Sequence, residues 1–337
     1  KKINVFFKIV LDFPGLLLSI TAYSQGSDET WQNSVIPQMY GQGYVDSIAR
    51  DSAYNAGLYL VSEYLDSSKF RAGYNYTVVN LKDGADITEH MFYLSGEHSM
   101  FPDMLPGKLI FRLDGYRGQS TLEYNADNPP VIVTVINMGG GKKPGGSTTT
   151  IISGGSTTIK QSADITAFQP QLAFSNYAKT FYADIGYAYS KYEGTSKVEV
   201  DQFTPTIGFG WNDGYDWLQL RLYLIKIHGA ALLFSDNQLE SLETKYTYWF
   251  EDDSSTNMDF IRLSLLAGER ALAVDSDAGV IYSTADKQNG SLQASIQWKL
   301  SGTSSLLTLV NYSRFVSDAL LDNYDSVLLY VNLQHKW

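Results

Sequence analysis

The chain of 337 residues contains no cysteine, which excludes disulfides, thiolate metal sites and cysteine nucleophiles. Histidine is scarce as well, with four in the whole chain. Charged residues make up only 18%, where about a quarter is usual in a soluble domain. Within that small set, 36 acids outnumber 25 bases and leave a formal net charge of -11, an acidic balance that argues against a general nucleic-acid binder. Beyond the N-terminus no apolar run reaches the roughly 18 residues that a transmembrane helix needs. A chain of this kind can still enter a membrane as a β-barrel, whose strands alternate instead of running apolar. What the chain does have is aromatic surface: 24 Tyr, 16 Phe and 6 Trp, or 14% of its residues.

The alternation is clearest toward the end of the chain. In Asn323–Trp337, Val327, Leu329, Val331, Leu333, His335 and Trp337 share one face, and Ser326, Leu328, Tyr330, Asn332, Gln334 and Lys336 share the other. That is the two-residue period of a strand. An apolar outer face, a polar inner face and a terminal aromatic resemble the closing strand and assembly signal of outer-membrane barrels, with Tyr330, Leu333 and Trp337 as its carriers. By itself the segment also fits an edge strand of a soluble β-sandwich. Ser291–Leu300 repeats the pattern, with Leu292, Ala294, Ile296, Trp298 and Leu300 opposing Ser291, Gln293, Ser295, Gln297 and Lys299. Lys69–Val79, Lys108–Tyr116, Phe181–Ser190, Trp217–Ile225, Leu242–Phe250 and Ile261–Gly268 alternate in the same way. Segments of about ten residues suit a bilayer, whereas soluble strands average about 5–6. On this phase Leu220, Leu222, Leu263 and Ile296 face lipid. Aromatics gather near strand ends, as at Tyr40 and Tyr44, Trp211 and Tyr215, Tyr248 to Phe250, and Trp337, where interfacial girdles place them.

Connections supply a second line of argument, because a barrel alternates short turns at one end with longer loops at the other. Short turns fall near Asp66–Ser68, Phe101–Gly107, Asn176–Lys179, Asn212–Asp216, Asp252–Thr256 and Gly302–Ser304. In the other parity lie the three longest connections, Gly118–Ala163, Gly229–Leu239 and Arg270–Asn289. Gly118–Ala163 holds VIVTVI, MGGGKKPGG and STTTIISGGSTTI. It reads as a hairpin projecting outside the membrane, or as a Gly/Thr-rich segment folded inward as a plug. Residues 1–25 read as an export signal, with Lys1 and Lys2 before an apolar stretch and Ala22-Tyr23-Ser24 as a cleavage site. Asp12 and Pro14 interrupt that stretch, so an N-terminal amphipathic helix is the alternative. The expected fold is all-β, a transmembrane antiparallel β-barrel of about 14 strands (12 to 16 also fit, since bacterial barrels use even numbers) spanning residues 26–337.

Chemistry is thin. His98 and Ser99 point to opposite faces of an extended strand, so they do not make the Ser–His pair of a hydrolase. No two His residues carry zinc-site spacing with a third ligand. Glu251-Asp252-Asp253 could hold calcium but more commonly means a solvated turn, and Gly139-Gly140-Gly141-Lys142 lacks the P-loop spacing. No enzyme activity and no cofactor is expected. The informative set faces the lumen: Arg71, Arg112, Asp114, Asp184, Arg221, Glu243, Lys245, Arg262 and Lys299, a lining that leans basic in an acidic chain. Two readings stay open, a salt-bridged plug that seals the barrel and a wet lumen that prefers anions.

In the second half, Tyr189–Val200 (YSKYEGTSKVEV), Asn289–Leu300 (NGSLQASIQWKL) and Asn323–Trp337 together resemble the YaiO family of outer-membrane barrels. The resemblance implies an outer-membrane barrel, in some cases linked with exopolysaccharide export. The chain departs from the family in the long Gly118–Ala163 connection, and it lacks the helical repeat domain that dedicated exporters place before their barrels. The expectation is a passive channel or export pore for anionic solutes or polysaccharide in a Gram-negative outer membrane. Its partners would be outer-membrane lipid, lipopolysaccharide and the barrel-assembly machinery. The alternative is a sealed structural or adhesive barrel that works through the loop 118–163.

Overall fold

The computed structural model describes residues 31–65, 67–125, 158–194, 197–229, 236–251, 256–283 and 286–337. The expected signal segment 1–25, the interior of the long connection and Asp252-Asp253 lie outside the described residues. The strands in chain order are β1 (Trp31–Val45), β2 (Arg50–Tyr64), β3 (Ser68–Leu81), β4 (Asp86–Met100), β5 (Gly107–Asn125), β6 (Thr158–Asn176), β7 (Phe181–Glu193) and β8 (Lys197–Trp211). They continue with β9 (Asp216–His228), β10 (Gln238–Trp249), β11 (Met258–Gly268), β12 (Val274–Asp275), β13 (Val280–Ile281), β14 (Lys287–Lys299), β15 (Ser304–Ser317) and β16 (Asp322–Lys336). All but β12 and β13 form one closed barrel in which each strand pairs with its neighbours in sequence, and β16 closes onto β1. Every pairing is antiparallel, and Tyr40 opposite Tyr330 marks the closing seam. The barrel therefore has fourteen strands.

The two-residue alternation becomes an inside and an outside. Leu58, Leu60, Phe92, Leu94, Phe111, Leu113, Ile185, Phe203, Leu263, Leu265, Leu292 and Leu329 are exposed on the outer surface. Their cross-chain neighbours on the other phase, such as Asp114, Asp184, Arg221 and Ser295, are buried inside. A continuous apolar band around the wall is the surface of a transmembrane barrel. In a soluble protein a patch of that extent would be an aggregation site. The six short turns lie at the end that holds Trp31 and Trp337, called here the near end. The three longest connections lie at the far end, beside four of only three or four residues.

Three features depart from the expectations. First, Gly118–Ala163 is not all loop: β5 runs on to Asn125 and β6 begins at Thr158, in unbroken register. The outward side chains change character after Gly115, to Arg117, Gln119, Thr121 and Glu123, and are tied by Arg117–Asp164 at 3.3 Å and Lys160–Glu123 at 2.9 Å. Pairing thus continues past the apolar band on a polar surface, which a propensity argument for membrane strands does not anticipate. Second, Tyr40 and Tyr44 turn inward, away from the lipid interface. Tyr40 shares its face with Tyr330, whose hydroxyl bonds Gln38 at 2.7 Å, and Tyr44 packs edge-on against buried Tyr324. Third, the Arg270–Asn289 connection does not project outward. It folds into the lumen.

Proline leaves its mark on the wall. The ladders β1–β16, β6–β7 and β8–β9 skip a stretch beside Pro37, Pro170 and Pro205, because proline has no N–H to give. An apolar depression of about 310 Å³ lies against Pro170 and Gly186, edged by Phe111, Leu172, Ile185 and Phe203.

Candidate functional site: a hairpin held in the lumen

The described residues between 269 and 288 form a small hairpin hung from a closed neck. Arg270 and Gln288 exchange both backbone hydrogen bonds, at 3.0 and 2.8 Å. The Arg270 Nε also donates to Gln288 Oε1 at 2.6 Å. The Arg270 guanidinium lies over the rings of Tyr223 and Tyr282, at 5.3 and 4.5 Å, a favourable use of a desolvated cation. Below the neck β12 pairs with β13. Asp275 Oδ1 accepts from the backbone N–H of Asp277 at 3.1 Å and of Ala278 at 3.3 Å, the local bond by which aspartate builds turns. Gly279, at φ +65°, completes the reversal.

The flanks of the hairpin are apolar and so is the wall around them. Ala271, Leu272, Ala273, Val274 and Ile281 are buried in one cluster with Tyr192, Val198, Val200, Tyr223, Ile225, Ile227, Leu239 and Leu266. The far half of the lumen is therefore a packed core. Polar contacts set its register. The Gln202 amide takes the place of a strand neighbour for Val274, donating to its carbonyl at 2.7 Å and accepting from its N–H at 2.9 Å. Tyr192 donates to the Leu272 carbonyl at 3.3 Å, and Tyr59 to the Gly279 carbonyl at 3.2 Å.

Tyr59 reaches the tip because Gly73 leaves it room. A Cβ on Gly73 would stand 2.4 Å from the Tyr59 ring. Gly73→Val is therefore expected to displace the ring and break its bonds to Gly279 and Asn75. Overpacking of this kind costs about 1–3 kcal/mol. Faster limited proteolysis within 269–286, with barrel assembly unchanged, is the expected result; an unchanged cleavage rate would show that Tyr59 does not hold the tip.

The tip is acidic and meets the basic part of the wall. Arg221 holds the Asp277 carboxylate with two parallel contacts, Nη1 to Oδ2 at 3.0 Å and Nη2 to Oδ1 at 3.1 Å. Its Nη1 is also 3.8 Å from Asp275 Oδ1, and its Nε donates to Thr206 Oγ1 at 3.1 Å. Lys245 Nζ lies 3.0 Å from Asp277 Oδ2 and 3.0 Å from Glu243 Oε2. Across the lumen Arg112 donates to the Ser276 carbonyl, and its Nε pairs with Asp114 at 3.0 Å. Burial opposes ionisation of Asp277, but Arg221 and Lys245 outweigh it and hold the carboxyl well below the ordinary carboxylate range. At the far end Asp286, where the hairpin leaves the lumen, is paired with Arg50 and accepts from the Tyr324 hydroxyl.

Of the residues singled out from the sequence, Arg112, Asp114, Arg221, Glu243 and Lys245 thus gather around the tip. Asp184, buried on β7, and Arg71, half-buried on β3, share the inward face. Arg262 donates to Thr247 at 2.9 Å and lies over the Phe260 ring. Lys299 stands apart near the other rim, 3.3 Å from Asp259. Tyr330 faces the lumen, bonded to Gln38 and Asn332, while Leu333 sits opposite Leu306. Trp337 exchanges backbone hydrogen bonds with Asn33 across the seam. The histidines are dispersed: His98 lies 3.0 Å from Ser68 Oγ near one rim and His228 2.9 Å from Asp201 near the other. Among the described residues no group of three or more His, Asp or Glu could hold a metal ion. The sequence reading missed the hairpin's partners Asp275, Asp277, Gln202, Tyr59 and Arg50. One signal was available: Ala-Leu-Ala-Val and Val-Ile-Tyr are unusually apolar for a loop in water.

From the tip to the near end the lumen changes again. Lys108, Gln219, Gln297, Asn332 and Gln334 are half-buried on its inward face, which they share with Ile110, Trp217, Trp249, Phe260, Leu307 and Leu309. The molecule is thus a closed transmembrane barrel with a packed far half, a charged junction at mid-height and a near half of mixed polar and apolar lining.

No protein-family model matches the chain, and no curated protein matches it. Solved structures do. The toluene transporter TbuX of Ralstonia pickettii superposes with a TM-score of 0.53 at 8% identity, over 92% of this chain and 90% of that one. The monoaromatic hydrocarbon channel CymD gives 0.52 at 8% identity, over 92% and 89%. A deltaS2S3 mutant of the monoaromatic hydrocarbon channel TodX gives 0.50 at 9%, over 92% and 91%. At such identities the likeness is one of fold alone.

Proposed function

We propose that the protein is a passive channel of a Gram-negative outer membrane, closed in this state by the hairpin 269–286. The observation that carries the reading is that the far half of the lumen is filled by one loop hung from one neck. Barrels of about eight strands are filled by their own wall side chains, and barrels of 16–18 strands leave an aqueous channel. At fourteen strands, withdrawal of the hairpin would leave a wide lumen. The near end would face the periplasm and the far end the outside, as short turns and long loops are disposed in such barrels. The hydrocarbons named for the similar structures are not carried over to this chain. The charged groups that meet at mid-height, Arg112, Arg221 and Lys245 with Asp114 and Glu243, suit a small polar solute.

Excision tests the proposal. Replacing 271–285 by a short Gly-Ser bridge between Arg270 and Asp286 leaves every barrel strand in place. In a planar bilayer the intact protein should conduct rarely and the excised one steadily. Silence in both would return the molecule to a sealed barrel whose working surface is the connection between β5 and β6.

A further inference from the structure

The contact between Arg221, Lys245 and Asp277 has the geometry of a receptor and its ligand. Arg221 offers its two terminal nitrogens in parallel, at 3.0 and 3.1 Å, and Lys245 adds a third donor at 3.0 Å. A bidentate guanidinium with an ammonium beside it is a strong and selective arrangement for a carboxylate. The donors are positioned by the wall and not by the hairpin. Arg221 is braced by Thr206, Lys245 by Glu243, and Glu243 in turn accepts from Tyr223 at 3.3 Å. The acceptor, by contrast, arrives on a loop that is covalently tied to the wall only through its neck. Asp277 also keeps 42% of its side-chain surface open toward the lumen.

Charge points the same way. Of the inward groups singled out from the sequence, Arg71, Arg112, Arg221, Lys245 and Arg262 are basic and Asp114, Asp184 and Glu243 are acidic, before Lys299 near the rim is reached. Among these eight groups the bases exceed the acids by two, and the hairpin supplies two carboxylates, Asp275 and Asp277. We propose that Arg221 and Lys245 form a binding site for the carboxylate of a permeating anion, and that Asp277 occupies this site in the closed state as a tethered stand-in. The proposal rests on the channel reading and deepens it by naming a solute class. Ligand and hairpin tip compete for the same donors, so the ligand binds only the state with the tip displaced and shifts the population toward it.

Calorimetric titration of the purified full-length protein with acetate and with glucuronate tests this. The apparent affinity is the intrinsic affinity scaled by the fraction of molecules whose tip is displaced, so Asp277→Asn should tighten it by about ten-fold or more. Adding Arg221→Gln to Asp277→Asn should abolish the heat of binding. Lys245→Gln serves in its place if that double variant fails to show heat-modifiable gel mobility. A response to acetate marks a site for small organic acids, and a response to glucuronate alone marks a sugar acid. No binding of either by Asp277→Asn, or binding that survives both wall substitutions, would overturn the site. Binding without conductance in the excised protein would keep the site and remove the channel; conductance without binding would do the reverse.

Discussion

Leu222→Arg is expected to block assembly of the barrel. Leu222 lies at the centre of β9, opposite Leu242 on the outward face. Arginine at the midplane of such a face costs about 2–4 kcal/mol, and there is no inward partner it can reach from that side of the strand. The change should abolish heat-modifiable migration on gels and leave the protein degraded or aggregated. Normal assembly of Leu222→Arg would mean that this face does not meet lipid. The neighbouring change Arg221→Leu acts through different physics. On the alternation alone it should be the milder of the two, since it removes a charge from the inside. The structure makes it costly as well, because it leaves Asp275 without its cation and Asp277 with Lys245 alone. Its expected consequence is a displaced hairpin in an assembled barrel, so gel mobility separates the two variants.

The second large effect is expected at the hairpin's exit. Arg50 pairs with Asp286, donates to the Tyr324 hydroxyl at 3.0 Å and lies over the rings of Tyr44 and Tyr324 at 5.9 and 5.6 Å. Asp286 is only 5% exposed. Removing one partner of a buried pair costs about 3–5 kcal/mol, because the other charge stays behind without compensation. Arg50→Met should therefore loosen the segment after Ile281 rather than the wall, since each barrel strand keeps its two neighbours. Hydrogen exchange would show this as lost protection in 280–283, with protection of β1, β2 and β16 retained. Arg50→Lys should rescue little: a point charge cannot pair with Asp286, bond Tyr324 and stack on two rings at once. Equal protection in wild type and Arg50→Met would show that the neck at Arg270 and Gln288 holds the hairpin alone.

Much of the architecture was legible before any coordinates. Strand faces follow from the two-residue period because a strand has only two, and a bilayer outside makes the choice between them steep. Leu292, Ala294 and Ile296 against Gln293 and Ser295 could be assigned from the letters alone. The parity of short and long connections followed from the same count, since a strand that crosses the membrane must end on the other side. The extent of the strands was less legible. β5 and β6 continue beyond the apolar band on Arg117, Gln119 and Glu123, where the wall faces water and alternation of hydropathy no longer exists to be read.

The sequence by itself determined that this is an all-β barrel and that each strand has an apolar and a polar face. Only the tertiary structure decided what the inward side chains meet. A loop has no period, so nothing in Arg270–Asn289 says whether it points to water or back into the barrel. The partners of Asp277 lie far away along the chain, on β9 and β10, and those of Val274 and Gly279 on β8 and β2. Whether those groups converge depends on closure of the barrel, which sets the width of the lumen and brings opposite walls within reach of one hairpin. Closure is a property of all fourteen strands together.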